Sequence, residues 1–155
     1  MATRRIRGVG GDPKSDHAHM SHQQLKMPRP TSPRAVFRQR QRRRVQNAAT
    51  LAAKFPRLKS LKAEVEFHAA ESGARIGQIK YVLNVAHASS LFCIECPNRE
   101  CVRGDFDLSE RLAAAVAAGQ ENVTGELRCR GWRNQDSVKK TYCRTLLRYR
   151  LRLKY

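Results

Sequence analysis

Acidic residues are scarce in this sequence of 155 residues. Only 13 side chains are Asp or Glu, against 31 Lys or Arg, and the formal net charge is +18. The scarcity is greatest in residues 1–60, which contain 2 acidic and 15 basic side chains. A strongly basic chain favours a polyanionic partner, with nucleic acid first and an anionic membrane surface second.

Long hydrophobic runs are also absent, which excludes a membrane-spanning helix. No apolar run approaches the roughly 18–20 residues that a span needs, so a soluble protein without a membrane partner is predicted. The pair Arg4-Arg5 has no hydrophobic region behind it and does not form an export signal. High usage of Ala and Arg is typical of a GC-rich bacterial genome, and the predicted location is the cytoplasm.

Large apolar residues are nearly missing from the first 33 residues, where glycine and proline are frequent. Such a segment cannot bury enough surface to offset the entropy lost on ordering it. The chain length fits one small domain with tails. We therefore predict a disordered tail over residues 1–33, a basic helix over 34–56 and a zinc-stabilised α+β domain over 57–155.

The sequence does contain a dense group of sulfurs. Three cysteines, Cys93, Cys96 and Cys101, fall within nine residues, and Cys129 and Cys143 lie downstream. An odd number of cysteines without a secretory signal argues against disulfides, because reducing compartments keep thiols free. A tetrahedral Zn²⁺ takes four nitrogen or sulfur ligands and ties distant segments together. The spacing therefore predicts a structural zinc site.

The turn between Cys96 and Cys101 has the residues that a metal-binding loop needs. Pro97 fixes its φ at about −65°, and Asn98 tolerates the left-handed region. Glycine at Gly131 would let backbone N–H groups approach the sulfur of Cys129, and the neighbouring Trp132 is expected to shield the site from water.

Five cysteines compete for four ligand positions. Alternation along the strand before the turn places Cys93 on the face opposite Ile94 and its neighbours, which favours Cys93 as the spare thiol. The preferred ligands are then Cys96, Cys101, Cys129 and Cys143. A rival set pairs Cys93 with Cys96 and releases Cys101 or Cys143, and His87 could replace one sulfur.

A basic helix is predicted before the domain. Ser32 can cap it with Pro33 at its first position, and Pro56 ends it. Its first half is basic nearly all round, so only the second half, which includes Val45 and Phe55, is expected to dock on the core.

The remaining elements follow from hydrophobic period and caps. Strands are predicted from Leu61 to Phe67, Ile76 to His87, Val123 to Arg130 and Leu147 to Tyr155. Between the second and third of these strands, a helix with Asp107 as N-cap ends at Gly119. The predicted fold class is α+β: a small antiparallel sheet of about four strands with one core helix, a zinc-ribbon-like four-cysteine site and a basic N-terminal helix.

The last strand and the basic helix supply the predicted nucleic-acid-binding residues. In the strand, cations alternate with apolar residues and lie about 6.6–7 Å apart on one face, close to the phosphate spacing of a nucleic acid. Arginine also matches phosphate geometry with a bidentate fork. The predicted set is Arg38, Arg40, Arg42, Arg43, Arg44, Arg148, Arg150, Arg152 and Lys154.

Residues 92–143 resemble zinc-ribbon and zinc-knuckle modules. The resemblance is carried by Cys96-Pro97-Asn98 with Cys101, and by Cys129-Arg130-Gly131-Trp132. The motif Gly104-Asp105-Phe106-Asp107-Leu108-Ser109 is similar to one in small bacterial proteins. The wide spacing to Cys143 and the inserted helix depart from ordinary ribbons. The resemblance implies nucleic-acid or ribosome binding by analogy.

Together these observations predict a zinc-binding, nucleic-acid-associated protein with RNA slightly favoured over DNA. Binding is expected to be largely independent of sequence. The alternative is a zinc-stapled protein-interaction module whose basic arm contacts an acidic protein. An enzyme is not expected, because a catalytic zinc keeps an open coordination position and five sulfurs suggest a closed site.

Overall fold

The structure, a computed structural model, describes residues 32–133 and 141–155. Residues 1–31 of the predicted tail therefore lie outside the described residues. The helices in the described part are α1 (Pro33–Asn47), α2 (Leu51–Lys54) and α3 (Ser109–Ala117). The strands there are β1 (Ser60–His68), β2 (Arg75–Leu83), β3 (Cys93–Glu95), β4 (Cys101–Val102), β5 (Asp105–Asp107), β6 (Asn122–Arg128), β7 (Trp132–Arg133), β8 (Thr141–Tyr142) and β9 (Leu146–Lys154).

The main sheet has four antiparallel strands in the order β2-β1-β9-β6, which confirms the predicted α+β class. Strand β9 lies inside this sheet and pairs with β1 on one side and β6 on the other. Its residues alternate between buried leucines or Tyr149 and exposed cations, as the period of two predicts. The buried side of the sheet packs with α3 and the β3–β5 hairpin in one core cluster.

Helix α3 ends as its sequence predicts and begins differently. Gly119 has a φ of 63° and donates to the carbonyl of Val116, while Gln120 donates to that of Ala115, which closes the helix in a Schellman motif. The predicted N-cap, Asp107, is wrong, because it is the last residue of β5 and Leu108 is the N-cap. The Asp107 carboxylate instead accepts a hydrogen bond from the Ser109 N–H at 2.9 Å.

The predicted single helix over residues 34–56 is two helices. Ala48 has an extended backbone, and Thr50 caps α2 by accepting from the Ala53 N–H. The connection after α1 and the start of α2 bond to residues 85–90 instead: Leu51 donates to the carbonyl of Ala88, and Ser90 donates to that of Ala49. These hydrogen bonds replace the helical ones, and Leu51 is completely buried.

The second strand ends at Leu83, earlier than the predicted His87. Asn84 starts a turn there, because its side-chain oxygen accepts from the Ala86 N–H and its carbonyl accepts from the N–H groups of His87 and Ala88. Asn is suited to this role because its side chain bonds to the backbone two residues on. His87 is consequently an exposed turn residue.

Two small sheets complete the described fold: the β3–β5 hairpin and a three-stranded sheet in the order β4-β7-β8. Their strands are two or three residues long, too short for a hydrophobic period to reveal. They connect and flank the cysteines. Within the described ranges no helix is long and apolar enough to cross a membrane.

Candidate metal centre

Four cysteine sulfurs meet at one buried point. The Sγ atoms of Cys96, Cys101, Cys129 and Cys143 all lie within 4.8 Å of one another, and all four residues are buried. The Sγ atoms of Cys96 and Cys143 are 3.7 Å apart, and those of Cys101 and Cys129 are 3.6 Å apart. None of the five cysteines is in a disulfide. The four sulfurs can hold a metal ion.

The spacing of the sulfurs fits a single tetrahedral ion. Four sulfurs at about 2.3 Å from a central ion lie about 3.8 Å from one another. The Cys96–Cys143 and Cys101–Cys129 separations of 3.7 and 3.6 Å are close to that value. A disulfide would instead bring two sulfurs to about 2.05 Å. The four cysteines, called the sulfur cage below, are therefore close enough to hold one ion.

Each ligand lies at or next to the end of a strand: three adjoin the short strands β3, β4 and β8, and Cys129 follows β6 of the main sheet. Cys96 follows β3 and donates to the carbonyl of Gly104, while Cys101 begins β4 and donates to that of Asn98. These two bonds close the first loop of the site.

The second loop is built in the same way. Cys129 follows β6 and donates to the carbonyl of Thr145 at 2.8 Å, and Cys143 follows β8 and donates to that of Gly131 at 2.8 Å. The two segments therefore pair with each other through the ligand residues themselves. This pairing brings together two cysteines that are 14 positions apart in the sequence.

Two glycines pack directly against the sulfurs. A Cβ atom at Gly104 would clash with the sulfur of Cys101 and lie 2.5 Å from that of Cys129, and one at Gly131 would lie 2.5 Å from the sulfur of Cys101. Both positions therefore exclude any side chain. Gly131 was singled out from the sequence. Gly104 was not, although its place three residues after a ligand was a usable signal.

Hydrogen-bond donors surround the sulfurs. The side-chain amide of Asn98 donates to Cys143 at 3.4 Å, and the Gly131 N–H donates to Cys129 at 3.4 Å, as the sequence predicted for that glycine. The hydroxyl of the buried Thr145 is 3.1 Å from the sulfur of Cys143. Such outer partners offset the negative charge of metal-bound thiolates and hold them in orientation.

Asn98 does not adopt the left-handed backbone that an asparagine tolerates. Among the described residues other than glycine, positive φ occurs at Arg103 and Arg144, with φ of 58° and 54°. Asn98 instead shapes the loop with its side chain, whose oxygen accepts from the Glu100 N–H at 3.0 Å. The turn is therefore set by an Asx-type hydrogen bond.

The thiols of the cluster have widely separated pKa values. A hydrogen bond from the Cys129 thiol lowers the pKa of Cys96 to about 6. The Asn98 backbone N–H lowers this pKa further, while burial acts in the opposite direction and raises it. Burial and the charge on Cys96 raise the pKa of Cys101 to about 12. The pKa of Cys129 is also raised, first by its hydrogen bond to Cys96 and then by burial. Four thiolates in this space therefore require a cation among them.

Two candidate residues lie outside the cluster. His87 is an exposed turn residue and is not part of it. Cys93 is half-buried on β3, opposite Asp107 of β5. Burial and that carboxylate raise the pKa of Cys93 to about 12. The thiol faces a cavity of about 310 Å³ beneath α1, together with Glu95, so the structure places it where strand alternation put the spare cysteine.

The first half of the predicted basic helix also docks, on the metal loop, although the sequence predicted docking for the second half only. In the second half, Phe55 packs against the core as predicted. The Arg34 guanidinium donates to the carbonyl oxygens of Cys96, Asn98 and Arg99. It also forms an ion pair with Glu95 at 3.1 Å. Helix α1 has no buried residue, so polar contacts rather than an apolar face hold it in place.

The predicted basic residues of α1 divide into two groups. Arg38 pairs with the same Glu95 carboxylate, and Arg44 bonds to the Gln41 side chain, which itself donates to Asp105. Arg40, Arg42 and Arg43 are exposed on the helix.

The predicted cations of β9 are all exposed, but carboxylates of neighbouring strands lie among them. Arg148 pairs with Glu126 of β6 at 3.1 Å and lies opposite Glu66 of β1. Arg150 lies opposite Glu64. The other end of the strand differs, since Arg152 has Lys62 and Asn122 as its cross-strand neighbours. The positive charge is therefore concentrated toward Arg152 and Lys154.

The fold and the cage define the class: a small α+β protein with a buried four-cysteine centre. Comparison of the chain with protein-family models, with curated proteins and with solved structures finds no match in any of the three. Its function must therefore be argued from the site and the surface.

Proposed function

We propose that this protein binds one structural Zn²⁺ and uses the domain that the ion stabilises to bind nucleic acid. The observation that carries the proposal is the convergence of four buried cysteine sulfurs, all within 4.8 Å of one another. Zinc is the usual ion in closed four-sulfur sites. Because the sulfurs nearly touch, the cage has room for one ion and not for a multi-iron cluster.

A structural role rather than catalysis is supported by the closed site. A catalytic zinc has three protein ligands and an open position for water, whereas four thiolates complete the tetrahedron. The ligands come from segments far apart in the chain, so the ion would join the first loop to the ends of β6 and β8. In small domains with a modest core, a metal is a common source of stability.

The metal proposal is tested by native mass spectrometry of protein purified under reducing conditions. We expect one zinc per chain in the wild type and in Cys93→Ser, and loss of zinc in Cys129→Ser. The Cys93 variant is the matched control, because it removes a thiol that lies outside the cage. Iron in place of zinc, or a wild-type protein that takes up no zinc when refolded with it, would overturn the assignment.

Binding of nucleic acid is supported by the charge and its placement. The formal net charge is +18, and exposed cations remain on two surfaces that carry few carboxylates. One surface is the exposed part of α1 with Arg40, Arg42 and Arg43. The other is the Arg152–Lys154 end of β9. We place RNA ahead of DNA, following the resemblance to zinc-ribbon modules, and the free thiols suit the reducing cytoplasm.

The nucleic-acid proposal is tested by titrating salt against binding. Log K for a random duplex is expected to fall by about 0.9 per phosphate contact as log salt concentration rises. Arg152→Gln should reduce that slope by about one, because it removes a cation with no carboxylate opposite it. Arg148→Gln is the matched control on the same strand and should change the slope less, because Arg148 already pairs with Glu126.

Affinity that does not depend on salt would contradict the nucleic-acid proposal. A discrete acidic protein that remains bound after nuclease treatment, with no affinity for either nucleic acid, would favour the protein-interaction alternative instead.

A further inference from the structure

A row of side chains on the β4-β7-β8 sheet runs from the core to the solvent. Val102, Trp132 and Tyr142 are directly opposite one another in register. Directly opposed residues of an antiparallel pair project on the same face, with Cβ atoms about 4.5–5.5 Å apart. Along this row exposure rises from 7% at Val102 to 60% at Tyr142, so a large ring ends the row at the surface.

Arginines flank the two aromatic rings. The Arg103 guanidinium carbon is 5.4 Å from the centroid of the Trp132 ring, a cation–π contact. Arg144, two residues after Tyr142, lines with it a surface depression of about 520 Å³. Arg103 and Arg144 are also the two described residues other than glycine that have a positive φ. Left-handed backbone is unfavourable for a residue with a Cβ, so the metal loops hold both arginines in uncommon conformations.

The depression beside Tyr142 has an excess of positive charge. Apart from Tyr142 and the buried cage residue Cys143, its ionisable lining consists of Arg133, Arg144 and Glu71. The Glu71 carboxylate already pairs with Arg133 at 3.1 Å, which leaves the Arg144 charge to attract an anion. An exposed phenol ring beside an exposed guanidinium combines a flat apolar surface with an anion partner.

We propose that Tyr142 stacks against one unpaired base of a single-stranded nucleic acid, while Arg144 and Arg103 contact its flanking phosphates. This inference rests on the proposed nucleic-acid binding and adds to it a preference for unpaired bases. The faces of bases in a duplex are already stacked on one another, whereas a single strand can turn a base outward onto an aromatic ring. Stacking of this kind accepts any base, because every base has a π face.

The chain contains one tryptophan, which makes Trp132 an internal reporter beside the proposed site. The probes are a ten-nucleotide mixed-sequence RNA, the same sequence as DNA, the corresponding RNA duplex, and inorganic polyphosphate of similar charge. Each is titrated into the full-length, zinc-loaded protein, with Trp132 emission and fluorescence anisotropy as the readouts.

We expect both single strands to change Trp132 emission and to bind more tightly than the duplex. Tyr142→Ala should weaken binding of the single strands by about tenfold and leave polyphosphate binding unchanged. Tyr142→Phe should retain single-strand binding, since the ring rather than the hydroxyl makes the contact. Val82→Ala is the matched control, because Val82 is an exposed apolar residue on β2, outside this row.

Equal affinity of wild type and Tyr142→Ala for the single strands would overturn the stacking proposal. If duplex and single strand then still bind in a salt-dependent way, nucleic-acid binding itself stands. If none of the nucleic acids binds, both proposals fail together. The zinc content of each variant is measured alongside, so that a loss of binding is not mistaken for a loss of the metal centre.

Discussion

The guanidinium of Arg34 lies 3.2 Å from the carbonyl oxygen of Cys96, a residue of the sulfur cage. The same group reaches the carbonyls of Asn98 and Arg99 in the same loop. These three carbonyls belong to the segment that connects Cys96 to Cys101, two ligands of the cage. The docking of the basic helix is therefore coupled to the geometry of the metal centre.

Replacing Arg34 should release α1. Arg34→Ala removes the donor to three carbonyls and one partner of Glu95, and α1 has no buried residue to compensate. We expect amide exchange over residues 33–47 to accelerate at least tenfold, with a loss of about 1–2 kcal/mol in stability. Arg43→Ala, on the exposed part of the same helix, is the control. Unchanged exchange in Arg34→Ala would show that other contacts hold the helix.

A methyl group at Gly104 should disrupt the cage. The added Cβ would overlap the sulfur of Cys101, so one ligand must move. We expect Gly104→Ala to lower metal affinity by at least a hundredfold and to reduce the melting temperature sharply. The control is Gly77→Ala, where the new Cβ meets only Phe67 at 3.7 Å. Retention of metal with unaltered affinity in the Gly104 variant would show that the loop relaxes freely.

Metal binding should release protons. At pH 7.5 the metal-free protein has a pKa of about 6 at Cys96, which is then mostly thiolate, whereas the raised pKa values keep Cys101 and Cys129 protonated. A divalent ion held by all four sulfurs must displace at least these two protons, so affinity should fall by at least about a hundredfold per unit of acidification, and more steeply below pH 6. Calorimetry in buffers of different ionisation enthalpy measures the number released. A binding heat that is the same in every buffer would contradict this expectation.

The Thr145 hydroxyl should strengthen metal binding through Cys143. Thr145 is buried, and its oxygen is 3.1 Å from that sulfur. Thr145→Val keeps the shape and removes the donor, so we expect a loss of about 10–100-fold in metal affinity. Thr141→Val, at an exposed position on β8, is the matched control. A competition titration with a chromophoric chelator compares the two, and equal affinities would assign Thr145 a packing role only.

The sequence was informative where a simple period decides the structure. Alternation in the last strand separated core from surface residues, and β9 has that pattern throughout. Alternation before Cys96 also placed Cys93 on the other face, and the structure finds it outside the cage. Both inferences needed only neighbouring residues.

The sequence was uninformative where distant residues decide the structure. Arg34 meets its partners 61–65 positions along the chain, and nothing in a run of arginines shows which ones turn inward. The break after α1 depends on hydrogen bonds to residues 85–90, which local propensity does not reveal. The cations of β9 were predicted correctly as exposed. Their neighbours Glu126 and Glu66 belong to other strands, so the sequence of β9 could not show that these carboxylates partly neutralise its positive charge.

Because of the alternation in β9, surface charge and core packing can be mutated separately. Every second residue points away from the leucines, so an outward cation can be exchanged without opening a void beneath the sheet. Affinity for a polyanion could therefore be tuned residue by residue along one strand while thermal stability stays nearly constant. Under the proposed binding of nucleic acid, selection in nature or in the laboratory can therefore change the affinity without changing the core.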